Sequence, residues 1–469
     1  MPLVAFLAFA ALSGGTTAHA AATRAFALTT DFFSPGGLSV ASLDTRAVQS
    51  DVTAVHSDAV ARWYGGLLYV VNRFGGDNIQ VIDPAQNYAT IRQFSVGNGS
   101  NPQDIVFVSP TKAYVSRYGS SDLLVVNPAA ADGAPMTPIS LAAFNDQDGL
   151  PEMVRMIRVE RYLFVACQRL DNFQPTNPSV VVVIDTQTDA VVDVDGAAPG
   201  VQGIALALRN PVTAFAFDRA QSRLWLGCAG TFGVPGDGGV EAIDPFVFAS
   251  LGPVITGAEL GGDVNDIAWR SPAEAYALVA PDFSSNRLVS WNPATGQTTD
   301  TLLVSGSGFG LPDLELNDRG ELYVCRNTFT AQEPPGLLVF STATHQLLAG
   351  PLDTGLPPVC VVFDEATDAA TSVPLSNDGL EFAAPWPNPS RAPVRLAFRL
   401  GRAADVDVRV YDATGRAIRT LATGSREAGR HDLVWDLADD RGASAKSGIY
   451  FVRVSVDGAS RVRRVAVVR

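Results

Sequence analysis

Leu68-Tyr69-Val70-Val71-Asn72, then a polar turn, then Val81-Ile82-Asp83-Pro84: this short pattern is written seven times along the chain. Its first half is an aromatic-apolar strand, and its second is an apolar run closing on Asp-Pro or an equivalent. Ala113-Tyr114-Val115 leads to Val125-Val126-Asn127-Pro128, and Leu163-Phe164-Val165 leads to Val183-Ile184-Asp185-Thr186. Leu224-Trp225-Leu226 leads to Ala242-Ile243-Asp244-Pro245, and Ala275-Tyr276-Ala277 to Ser290-Trp291-Asn292-Pro293. Leu322-Tyr323-Val324 leads to Leu338-Val339-Phe340-Ser341, while a weaker first copy runs from Phe26-Ala27-Leu28 to Ala41-Ser42-Leu43-Asp44. A repeat of roughly 50 residues in an all-β pattern means a stacked or closed array.

Working outward, each copy opens on a further strand with period-two alternation, such as Asp104-Ile105-Val106-Phe107-Val108 or Asp266-Ile267-Ala268-Trp269. A fourth strand follows the Asp-Pro ending, as in Ile91-Arg92-Gln93-Phe94-Ser95-Val96. Four antiparallel strands per unit make one propeller blade. A stack of open units needs polar caps, whereas a ring needs none. Pro357 to Phe363 is a first strand with no aromatic strand after it, and the N-terminal copy lacks a first strand. Joining 357–363 to 25–44 completes a seventh blade, so the reading is all-β: a seven-bladed β-propeller over residues 23–366.

The motif Tyr-Val-x-Asn, turn, Val-Ile-Asp-Pro resembles the YVTN-type surface-protein propellers, best in Tyr69-Val70-Val71-Asn72 with Val81-Ile82-Asp83 and in Tyr323-Val324-Cys325-Arg326-Asn327. That resemblance implies the fold; propellers host hydrolases, lyases, oxidoreductases and plain binding platforms. After Phe363 the composition turns to Asp, Ala, Thr and Ser, a linker over 367–380. Residues 381–469 then carry short strands separated by turn signals, an Ig-like β-sandwich. Pro387-Asn388-Pro389, Tyr411-Asp412 with Gly415-Arg416, Gly429 with Trp435-Asp436, and Gly448-Ile449-Tyr450-Phe451 resemble two related groups. These are the FlgD-type Ig-like domain and the C-terminal sorting domain of type IX secretion. Where those families usually place Gly after Trp-Asp, this chain has Leu437. The resemblance implies passage across the outer membrane, with the export machinery as partner, followed by surface attachment or release.

Bulk properties agree with an exported β protein. Of 469 residues, 42 are Gly and 30 Pro, as many tight turns require, and 17% are charged. The net charge of -14 speaks against nucleic acid as a partner, because phosphate neutralisation needs a basic footprint. Pro2 to Leu12 is an apolar run of signal-peptide length, and Thr17-Ala18-His19-Ala20 supplies an Ala-x-Ala cleavage site, so residues 1–20 read as a secretory signal. No Lys or Arg precedes that run, and no later stretch is long enough to span a bilayer. Cys167, Cys228, Cys325 and Cys360 match no metal spacing; they read as buried small apolar residues, with a Cys325–Cys360 pairing left open.

Site candidates concentrate on one rim, where the loop into each first strand and the loop after each aromatic strand meet. Arg73, Arg117, Arg169 and Arg326 follow the aromatic strand; Asp58, Asp104, Asp266 and Asp313 precede the first strand. They read either as a polar mouth for an anionic or glycan ligand, or as ion pairs across neighbouring blades. The longest rim loops run over 168–179, 229–239, 280–287 and 326–336, and Phe173, Phe232, Phe283 and Phe329 on them are contact candidates. Asn145-Asp146-Gln147-Asp148-Gly149 with Glu152 offers alternating oxygen ligands; calcium through Asp146, Asp148 and Glu152 competes with an Asx-rich turn. No nucleophile elbow is present, and Ser305-Gly306-Ser307-Gly308-Phe309-Gly310 is not followed by a helix as a phosphate loop requires. The expectation is an exported cell-surface or secreted protein whose propeller binds a protein or glycan without catalysis and without a required cofactor. The alternative is a lactonase-like hydrolase or lyase using rim carboxylates.

Overall fold

The computed structural model describes residues 22–364 and 380–468, apart from 197, 219, 220, 232, 233, 235, 329, 383, 384, 386, 387, 401, 428 and 458. The signal at 1–20, most of the linker, Phe232 and Phe329 lie outside the described residues.

Seven antiparallel sheets make up the first domain, six of them with their four main strands in sequence order from the inside out. The first blade holds Ala59–Tyr64, Leu67–Asn72, Asn78–Asp83 and Ala89–Ser95. Five more begin at Pro102, Met153, Ala216, Asp263 and Leu314. The seventh is built from both ends of the domain: Pro358–Phe363 pairs with Arg24–Thr29, which pairs with Gly36–Ser42 and then Val48–Val55. The inner strands of blades 4 to 7, and of blades 7, 1, 2 and 3, touch in turn. Between blades 3 and 4 an insertion adds the short strand Ile204–Ala205 to the third sheet.

The repeated aromatic is the seam residue of this ring. On each second strand it reaches the next blade: Tyr69 to Phe107 at 4.5 Å between ring centroids, Trp225 stacked on Trp269 at 4.6 Å, and Phe26 stacked on Trp63 at 5.2 Å. Phe164 meets Phe248, Tyr276 meets His345, Tyr323 meets Phe363, and the Tyr114 hydroxyl donates to Asp189. Such rings fill the wedge between twisted sheets while a hydroxyl end finds a partner. The Asp-Pro ending has an equally local cause. Asp83 accepts from the amide of Ala85, Asn127 from Ala129, Asp185 from Gln187, Asp244 from Phe246 and Asn292 from Ala294. Each is an Asx turn that closes the outer hairpin of its blade.

The second domain packs a three-stranded sheet, Leu380–Phe382, Val394–Leu400 and Gly429–Trp435, with a four-stranded one. The latter runs Ala417–Arg426, Ala404–Asp412, Gly448–Val456, Ala459–Val467. Leu396, Phe398, Val408, Val410, Trp435, Val452 and Val465 form its core. Asn388 pins the entering chain, donating to the Arg464 carbonyl and accepting from the Ala466 amide, both at 2.8 Å. Leu437 has φ 58°, a left-handed conformation that explains why glycine suits this position. All four cysteines are buried free thiols, and among the described residues no helix is long and apolar enough to cross a membrane.

Candidate functional site

In a four-stranded meander the turns between strands 2 and 3 and the connections from strand 4 to the next blade share one rim. The acidic residues at the start of the inner strands do not point into a free mouth there. Asp104 is fully buried and accepts from Arg62 Nε at 2.7 Å and Nη2 at 2.8 Å. Its Oδ2 also takes the amide of Met156, on the inner strand of the next blade, at 2.9 Å. Asp266 repeats the bond between blades 5 and 6, accepting from Leu314 N at 3.1 Å, and Asp313 repeats it between blades 6 and 7, accepting from Val361 N at 2.7 Å. Three of the four candidates thus staple one inner strand to the next. Desolvation by burial pushes the Asp266 and Asp313 carboxyls up, and the charge of Asp266 raises Asp313 further. Asp58 differs: it pairs with Arg73 of its own blade, whose Nε lies 2.8 Å away.

The arginines clasp their own loops. Arg117 donates to the carbonyl of Asp122 at 2.8 and 3.0 Å, Arg169 to Pro178 at 2.9 Å and Arg326 to Pro334 at 2.7 Å. Each carbonyl lies at or just before the third strand, so the guanidinium closes the turn it starts. Arg73 alone of the four pairs with one of the acidic candidates, and it reaches Gln103 of the next blade at 3.3 Å. Ion pairs between these arginines and the acidic series of adjacent blades are absent among the described residues, because backbone acceptors stand closer.

Asp146, Asp148 and Glu152 do come together on this rim, with ligand oxygens within 4.8 Å of one another. That spread fits around one ion at 2.3–2.6 Å. Asn177 donates to Asp146 at 3.2 Å, and the Leu170 amide donates to Glu152 at 3.0 Å. Burial, and after it the charges of Asp148 and Asp146, pushes the Glu152 carboxyl up to about 8. These three carboxylates are the residues that would hold a divalent cation. Asx-turn bonds also satisfy part of the set: Asp148 accepts from Leu150 N at 2.9 Å.

The aromatic residues set this rim apart. Among the described residues of the propeller, the exposed aromatic side chains are Phe32, Phe33, Phe74, Phe173, Phe283 and Phe309, and every one lies on this rim. Phe33 is 97% and Phe74 75% exposed. Phe173 and Phe283 were legible as loop aromatics, whereas Phe32, Phe33 and Phe74 sit in shorter turns and Phe309 lies on the connection from a fourth strand to the next blade. For the first three the signal available was positional: an aromatic falls in the turn after the second strand. One loop is tighter than its sequence suggests. Residues 280–287 form a hairpin with Phe283 and Ser284 at its tip, because Asp282 accepts from Ser284 N at 2.7 Å and the strands continue to Asp282↔Ser285.

Comparison with known proteins bears mainly on the tail. The FlgD Ig-like domain family matches residues 389–460. No curated protein matches the chain. Among solved structures, a functionally unknown protein from Desulfotomaculum acetoxidans DSM 771 is similar at 12% identity over 72% of this chain and 98% of its own, with TM-score 0.48. The Dos1 propeller is similar at 9% identity over 88% of both chains, TM-score 0.45, and apo AztD from Citrobacter koseri at 11% over 73% and 99%, TM-score 0.44. The chain is therefore an all-β protein in which a ring of seven four-stranded sheets precedes an FlgD Ig-like sandwich.

Proposed function

We propose that this is an exported cell-surface or secreted protein whose propeller is a non-catalytic platform for a protein or glycan, recognised through the aromatic rim. The observation that carries the reading is the one-sided distribution of the exposed phenylalanines. Exposed aromatic side chains gathered on the loop rim of a rigid scaffold are placed where recognition concentrates. The FlgD Ig-like match over 389–460 and the apolar N-terminal run Pro2 to Leu12 with its Ala-x-Ala site at Ala20 support export, with the C-terminal domain directing passage and attachment at the outer membrane.

The test is an array of extracellular glycans and surface proteins probed with the full chain and with a Phe74→Ser/Phe173→Ser/Phe283→Ser/Phe309→Ser variant. Binding by the wild type that the variant loses supports the platform; binding that the variant retains contradicts it. Turnover of lactone or ester substrates by the same preparation favours the hydrolase alternative. Deletion of 381–469 abolishes surface delivery if the tail sorts the protein, and unchanged delivery removes that role.

A further inference from the structure

Between blades 5 and 6 the rim holds a cavity of about 280 Å³ lined by Gly306, Ser307, Asn327, Thr328, Thr330 and Glu333. Ligand clefts start at about 300 Å³, so this space takes one small ring. Every lining side chain carries a hydroxyl, an amide or a carboxylate. The loop that lines it runs on to Phe309, 66% exposed, whose ring centroid lies 6.1 Å from that of Phe283, 65% exposed, with planes 37° apart. One loop joins wall and cavity. Gly308 donates to the Phe283 carbonyl at 3.1 Å, and Asn286 donates to the Gly308 carbonyl at 3.1 Å. On the other side Gly310 lies against Thr328, and Gly306 donates to Glu333 at 2.9 Å.

We infer that this is a subsite for one neutral hexose ring, a refinement that rests on the rim being the recognition face. The C–H face of a pyranose is weakly positive and packs on the negative face of an aromatic ring. Its hydroxyls need acceptors and donors close by. Glu333 supplies acceptors: each oxygen takes one internal bond, from Ser305 Oγ at 2.7 Å and from Gly306 N, which leaves lone pairs over. Asn327 supplies both kinds of group, because its carboxamide makes no hydrogen bond among the described residues while it stands half-buried in the wall. The wall is held before any ligand arrives. A Cβ at Gly308 would sit 2.7 Å from the Asp282 carbonyl oxygen and from the Phe283 carbonyl carbon, so only glycine lets the two loops close on each other. Preformed loops lose less entropy on binding. A cation against Phe283, Phe309 and Glu333 is the competing occupant. The internal bonds to Glu333 and the uncharged remainder of the lining favour a neutral polyol.

The experiment titrates the full chain with methyl β-D-glucopyranoside, cellotriose and mannotriose, read by saturation-transfer difference NMR, with choline chloride as the cationic probe. Transfer to ring C–H protons of at least one sugar is expected. Phe309→Ala and Phe283→Ala each weaken it at least tenfold, Glu333→Gln weakens it severalfold, and Leu348→Ala, an exposed change on the outer strand of its blade, leaves it unchanged. The two phenylalanines are exposed, so their removal leaves the fold intact, checked by circular dichroism. No transfer from any of the three sugars, transfer insensitive to Phe309→Ala, or transfer from choline alone overturns the subsite. Sugar silence with array binding still lost in the fourfold rim variant overturns the subsite and spares the rim. Array binding that survives the fourfold variant removes the rim reading by itself.

Discussion

Replacing Asp104 by alanine should weaken the ring more than any other single change on its acidic series. The carboxylate is fully buried and accepts two bonds from Arg62 and one from the Met156 amide across the seam. Alanine leaves a guanidinium and an inter-blade N–H without their acceptor. Removing one member of a buried charge pair costs about 3–5 kcal/mol, and an orphaned buried donor costs about 1–3 kcal/mol. The two overlap, and the Arg62 side chain is 31% exposed, so a total loss of about 3–5 kcal/mol is expected. Asp104→Asn keeps one acceptor without the charge and should lose about half as much. Asp58→Ala is the control, since that pair is about one-third exposed on each side and such pairs contribute about 0–1 kcal/mol. Urea unfolding of the full chain reads the difference through tryptophan fluorescence: Trp63 neighbours Arg62 and stacks on Phe26 at the closing seam. A loss for Asp104→Ala no larger than that for Asp58→Ala would refute the staple.

Further outcomes concern titration and backbone. Glu152, raised to about 8 by burial, binds its proton more tightly folded than unfolded. Its contribution is therefore complete below the ordinary glutamate value and lost as pH climbs through about 8. Glu152→Gln, which keeps an acceptor for Leu170 N, should be more stable than wild type at pH 9 by a few kcal/mol, and no more stable at pH 4.5; equal midpoints at pH 9 would count against it. His345 lies 2.7 Å from Glu274 and 3.1 Å from Asp300. Burial lowers its pKa, but these two bonds outweigh that and raise it. The stabilisation is full below about 6.5 and fades as pH rises past the raised value, so the wild-type advantage over His345→Gln should shrink between pH 6 and pH 8.5. In the tail, Leu437→Gly removes left-handed strain of about 1–2 kcal/mol but a buried leucine worth about 2–5 kcal/mol. Thermal unfolding of the sandwich should shift down; an upward shift would show that strain dominates.

The sequence carried the ring because its architecture is set by local signals. The aromatic marker fills a seam, the Asp or Asn closes an Asx turn, and the period counts blades. The FlgD-like tail was legible for the same reason, through Asn388 and Trp435, which hold the sandwich at fixed offsets. Long-range bonding was not legible. That Arg117, Arg169 and Arg326 reach carbonyls of their own loops depends on backbone placement, which residue identity does not encode. Asp104 and Asp58 look alike in sequence and part in structure because only Asp104 meets an amide of the next blade. The Phe283–Phe309 wall arises from a four-to-one connection meeting a tight hairpin, and loop length pointed to Phe283 but not to Phe309.

The central claim is that partners meet the molecule on the rim of phenylalanines. Hydrogen–deuterium exchange of the full chain with and without a bound array hit tests it directly. Slowed exchange is predicted at 73–77, 168–178, 283–284 and 306–310. Protection confined to the opposite turns at 65–66, 110–111, 160–161 and 272–273, or to the Ig-like sandwich, would contradict it.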